Sequence, residues 1–130
     1  MPILAPISAG ELVDKITILR VKAARIGDPA KEANVLKELR LLEELAMDVL
    51  PDTPVMTELT AELTVINAAL WDIEEGKRDC ERRQDFGAEF VSLARAVYLE
   101  NDRRAAVKRA INAESGSDLV EEKSYRPYRA

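Results

Sequence analysis

A chain of 130 residues, 47% apolar and 33% charged, has the length and composition of one folded globular domain, not those of a disordered segment. A formal net charge of −5 argues against duplex nucleic acid as the partner, because neutralising phosphates requires a basic face. The absence of histidine and the isolation of Cys80 exclude Ser-His-Asp and Cys-His catalysis, histidine-ligated metal and a disulfide framework.

The opening "MPILAPIS" has neither the basic n-region nor the long apolar stretch of a secretory signal. Ser8 and Glu11 then form an S-x-x-E capping box, with Ile7 and Leu12 at the positions of a hydrophobic staple. The stripe Leu12, Ile16, Leu19, Ala23, Ile26 advances by fours and threes, the period of a helix face, and Gly27 ends it. Asp28 before Pro29 restarts a helix, since proline in the first turn loses no needed hydrogen bond. This second helix directs Leu39, Leu42, Leu45, Ala46 and Val49 inward and Lys37, Arg40, Glu44 and Asp48 outward.

"PDTP" breaks the chain, Thr53 before Pro54 begins a third helix, and Leu59, Leu63, Ile66, Leu70 and Ile73 give it a sustained stripe. Its centre, "LTVINAALWDI", is shorter than the ~20 apolar residues of a membrane span, so no membrane and a cytoplasmic location are expected. Gly76 weakens the later turns by about 1 kcal/mol relative to Ala. Asp85 is the expected cap of the fourth helix, and Gly116 its left-handed end. Asp118 and Glu121 offer a second capping box within a tail that is either a short helical turn or an extended arm. The expected fold is all-α: one domain over 1–130, an antiparallel four-helix bundle with helices at about 8–26, 29–50, 54–83 and 86–114, and a short C-terminal arm over 115–130.

The apolar register contains polar residues. In the fourth helix Phe90, Leu93, Ala94 and Val97 are followed at the same spacing by Asn101, Arg104 and Lys108 before Ile111. In the third, Asn67, Trp71, Glu74, Arg78 and Glu81 run beside the core stripe, and the first helix adds Glu11, Asp14, Lys15 and Lys22. A buried charge without a partner costs several kcal/mol, so these groups either pair with one another or line a wet cavity. Asp14, Glu74 and Glu75 are the candidate partners of Lys15, Arg78, Arg104 and Lys108. Arg104 and Lys108, one turn apart, suit a phosphate or carboxylate, Asn101 and Tyr98 can fix hydroxyls, and Trp71 can stack on a base or sugar. Asp14 and Glu74 are the candidate acid and base.

"ELVD" at 11–14 and "DIEE" at 72–75 also place carboxylates at i, i+3, the arrangement with which helical nucleotide pyrophosphohydrolases hold Mg²⁺. Against that, Lys15 is the expected neighbour of Glu11.

"GELVDKITILRVKAARI", "NAALWDIEEGKRDCE", "VYLENDRRAAVKRAIN" and "LVEEKSY" together resemble a bacterial family of all-helical proteins classed only as a domain of unknown function. The resemblance runs from Ser8 to Tyr125, and a more distant one exists to another uncharacterised helical family with "DKLSIL" and "N-x-x-L-W-x-x-E-D" segments. The family's motif positions fall on Asp14, Lys15, Asn67, Trp71, Glu74, Asn101, Asp102, Arg103 and Arg104. Through neighbouring glycosyltransferase genes, the resemblance implies a link to envelope polysaccharide synthesis. The leading expectation is a site for a small anionic ligand, a sugar phosphate or nucleotide-sugar, built from Lys15, Asn67, Trp71, Arg78, Tyr98, Asn101, Arg104 and Lys108, with no cofactor or resident metal. The alternatives are a non-enzymatic interaction module, as a homodimer or a glycosyltransferase partner, and a Mg²⁺-dependent pyrophosphohydrolase.

Overall fold

Each helix begins where the sequence supplies an acceptor for its orphan amides, with one displacement. In the computed structural model, which describes residues 1–122 and 125–128, α1 spans Ala9–Arg25, α2 Pro29–Val49, α3 Pro54–Arg83 and α4 Ala88–Ser115. The Ser8 hydroxyl accepts from the Glu11 N–H at 3.1 Å, Asp28 from Ala30 and Lys31, and Thr53 from Met56 at 3.1 Å. The Glu11 carboxylate turns away from its expected capping role and takes the Lys108 ammonium at 2.7 Å. At α4 the cap is Gly87 and not Asp85, which instead accepts from the Gly87 N–H at 3.1 Å and tightens the α3–α4 turn. Gly116, at φ 69°, ends α4, and the Ser117 N–H returns to the Asn112 carbonyl. Residues 117–122 form no helix, so Asp118 and Glu121 do not act as a second capping box.

The helices run up, down, up and down, an antiparallel all-α bundle in which α1 touches each of the other three. It can do so because it is apolar on two sides. Leu12, Ile16 and Leu19 pack with Leu39 of α2, flanked by Val35, Leu42 and Ala46. Val13 enters a second cluster with Met56, Leu63, Ile66, Val107 and Ile111, between α3 and α4. Helix α2 packs on no helix but α1. That one-sided packing is why Leu45 and Val49, expected inward, are 44% and 59% exposed.

At 1.5 Å per residue, the 30 residues of α3 extend ~45 Å, whereas the 17 residues of α1 extend ~26 Å. Arg25, at the end of α1, pairs with Asp72, so the α3–α4 hairpin continues beyond α1. Gly76 does not end α3; it faces the end of the Leu93 side chain of α4, where a Cβ would lie 2.9 Å from a leucine methyl. Among the described residues no helix is long and apolar enough to cross a membrane.

Candidate functional site

Helices α1 and α4 are antiparallel, so residues spaced i, i+3 on one meet residues spaced i, i+4 on the other in reverse order. Glu11 and Asp14 therefore face Lys108 and Arg104. Asp14 is 1% exposed. Its Oδ1 accepts from Arg104 Nε at 2.9 Å, and its Oδ2 takes the same guanidinium's Nη2, a two-pronged pair that fixes the plane of the arginine. Asn67 of α3 donates through Nδ2 to Asp14 Oδ1 at 3.0 Å and to the Thr17 hydroxyl at 2.9 Å. Lys108 reaches Glu11 at 2.7 Å, Asp14 at 3.8 Å and Glu121 at 3.3 Å.

The hydrogen bonds to Asp14 raise the Arg104 pKa above its ordinary value against the opposing effect of burial. For Lys108 burial is the largest influence and lowers the pKa, but the Glu11 hydrogen bond and the charges of Asp14, Glu11 and Glu121 outweigh it and the net direction is up. Both cations are thus charged at neutral pH.

Beneath this network α1 and α4 approach closely. The Gly10 N–H donates to Asn112 Oδ1 at 2.7 Å, and a Cβ on Gly10 would lie 2.5 Å from the Lys108 carbonyl oxygen. Any larger residue would push α1 away from the two cations.

Arg104 stands in a wall shared by two cavities. One, of about 510 Å³, lies between α4 and the C-terminal arm and is lined by Tyr98, Asn101, Arg104 and Lys108 on the helix side and by Glu121 and Tyr128, among others, on the arm. The other, of about 320 Å³, lies between α1, α3 and α4 and includes Asn67, Trp71, Glu74, Arg78 and Arg104. Among the described residues the arm is held through Glu121 and Tyr128. Glu121 meets Lys108, the Arg109 Nε and Nη2 donate to the Glu121 carbonyl at 3.3 and 3.2 Å, and the Tyr98 and Tyr128 rings are 5.3 Å apart, tilted by 50°.

The residues expected to share one pocket are therefore divided between two cavities that meet at Arg104. Tyr98, Asn101 and Lys108 belong to the arm cavity; Asn67, Trp71, Glu74 and Arg78 belong to the other. Lys15 is exposed and lines neither. The Glu11 carboxylate lies on Lys108. Glu74 is exposed and pairs with Lys77 at 3.1 Å.

The two carboxylates of "ELVD" are occupied by cations, and Asp72 of "DIEE" is paired with Arg25. Among the described residues no group of three or more Asp, Glu, Cys or His side chains stands where it could hold a metal ion. Cys80 is buried, and burial pushes its thiol pKa up, away from nucleophilic use.

Sequence reasoning missed Gly10, Thr17, Asn112, Glu121 and Tyr128. Asn112 follows Lys108 by one turn and so continued the polar register in plain view. The arm residues have no periodicity that could have placed them.

The chain matches, over residues 3–128, the model of a Family of unknown function (DUF6165), and it belongs to that family. No curated protein and no solved structure shows a significant match to it.

Proposed function

We propose that this DUF6165 member binds a small anionic molecule, a sugar phosphate or nucleotide-sugar, in the cavity between α4 and the C-terminal arm. The observation that carries the reading is the contact between Glu121 and Lys108: a carboxylate of the arm rests at 3.3 Å on a buried cation in the cavity wall. The position already accepts an anion. Arg104 beside it is held in one plane by Asp14, so its remaining donor capacity needs little further ordering when a ligand arrives. Tyr98 and Tyr128 offer flat ring surface and Asn101 an amide for hydroxyls. The sugar, and with it the link to envelope polysaccharide synthesis, rests on the resemblance given above. In this reading Asp14 positions Arg104 and transfers no proton, because both its oxygens are engaged.

The test is thermal melting against nucleotides, sugar phosphates and nucleotide-sugars. A ligand at a hundred times its dissociation constant adds about 2.7 kcal/mol and raises the melt by several degrees. Lys108→Met and Asn101→Ala, each compared with its own unliganded melt, should lose that rise. A panel that shifts nothing, or a shift that both variants retain in full, refutes the reading.

A second reading, the interaction module in its homodimeric form, is favoured by the outer face of α2. Leu41, Leu45 and Val49 follow one another at i, i+4 and are 58%, 44% and 59% exposed. Sedimentation equilibrium would decide it: a dimer that Leu45→Glu dissociates supports it, and a monomer at tens of micromolar ends it.

A further inference from the structure

Glu121 sits where the proposed ligand's anion would sit, and its carboxylate has the same chemistry. We infer that Glu121 is a built-in competitor for Lys108, a self-ligand that an incoming anion must displace; this rests on the anion-site reading above. The arm is placed for the exchange. It leaves α4 through Gly116, at φ 69°, and its residues 121, 122 and 125–128 line the cavity. Among the described residues of the arm, Leu119, Val120, Glu122 and Tyr125 are all exposed. None of the arm's described residues is buried, so releasing Glu121 strips few of them from the protein interior.

The electrostatics favour a replacement over an addition. With Glu121 in place, Arg104 and Lys108 face three carboxylates, Asp14, Glu11 and Glu121. A further anion would enter a site that already holds an excess of negative charge. With Glu121 withdrawn, Arg104 and Lys108 keep Asp14 and Glu11 as partners, and an added anion takes the third place in a cavity that Asp102, Glu122 and Arg126 also line. The Lys108 side chain is 9% exposed and that of Glu121 is 25% exposed, so the exchange happens at the edge of the protein where the arm can swing outward. The Tyr98 and Tyr128 rings, one from α4 and one from the arm, line the same cavity and touch without involving the Glu121 carboxylate.

The experiment is equilibrium dialysis of the full chain against radiolabelled inorganic phosphate. Competition lowers apparent affinity by the ratio of closed to open arm. A partly exposed ion pair supports a ratio on the order of five, so Glu121→Gln should bind phosphate roughly five-fold more tightly than the wild type. Glu122→Gln removes the same charge from the same cavity without touching the Lys108 contact and should change the affinity by less than about two-fold. Adding Lys108→Met to Glu121→Gln should abolish the gain.

Equal or weaker binding by Glu121→Gln overturns the inference while the anion site stands. An equal gain from Glu122→Gln also overturns it, since net charge would then explain the effect. If neither the wild type nor Glu121→Gln binds phosphate, the inference fails, and the reading beneath it is decided separately by the melting panel.

Discussion

Removing the Arg104 guanidinium is expected to strand the Asp14 carboxylate. That carboxylate is 1% exposed and takes two hydrogens from Arg104. Arg104→Ala leaves it Asn67 at 3.0 Å and the Lys108 ammonium at 3.8 Å, beyond hydrogen-bonding distance. Breaking one side of a buried pair costs about 3–5 kcal/mol. The lower end applies, because the arginine side chain is 29% exposed and the lysine can swing closer. We expect a loss of about 3 kcal/mol. With an m-value of ~2 kcal/mol/M, this lowers the urea midpoint by roughly 1.5 M, followed by circular dichroism and Trp71 emission. Asp14→Asn combined with Arg104→Met strands no charge and should be more stable than Arg104→Ala alone. A loss below about 1 kcal/mol in Arg104→Ala, or a double variant no better than the single one, would refute the buried-pair argument.

Gly10→Ala should destabilise the protein by about 2–3 kcal/mol in the same assay, because its Cβ meets backbone and not the end of a flexible side chain; an unchanged midpoint would contradict the close α1–α4 packing. Alkaline pH should unload the Lys108 cluster. The folded-state pKa lies above the ordinary 10.5, so the stabilisation is fully present below about pH 10.5 and is lost as pH rises from there through the folded-state value. Wild-type stability should then fall more steeply in that range than that of Lys108→Met, and parallel curves would count against it.

How much of this was legible in the sequence depended on periodicity. The four helices were, because their caps and stripes are local signals. The polar register of α4 was legible too, since Arg104 and Lys108 interrupt an apolar stripe. What faced them was not. Glu11 read as the neighbour of Lys15, Asp14 as a partner of several cations, and both, more weakly, as metal ligands, because spacing along one helix does not say which helix lies opposite. The antiparallel register of α1 and α4 places both carboxylates opposite Lys108 and Arg104. Leu45 and Val49 read as core for a related reason: an amphipathic stripe shows that a face is apolar, not that a neighbour covers it. Glu121 and Tyr128 lie in irregular chain, where no repeat relates a residue to its surroundings.

The most direct test of the central claim, that Arg104 and Lys108 present an anion site to the arm cavity, is a nuclear magnetic resonance titration. Protein labelled to report the Arg104 Nε and Lys108 Nζ groups would be titrated with whichever sugar phosphate or nucleotide-sugar raises the melt most. The account predicts that both resonances move together and saturate with one dissociation constant, accompanied by Tyr98 and Tyr128. Saturable shifts confined to another part of the bundle, with Arg104 and Lys108 unmoved, would contradict it.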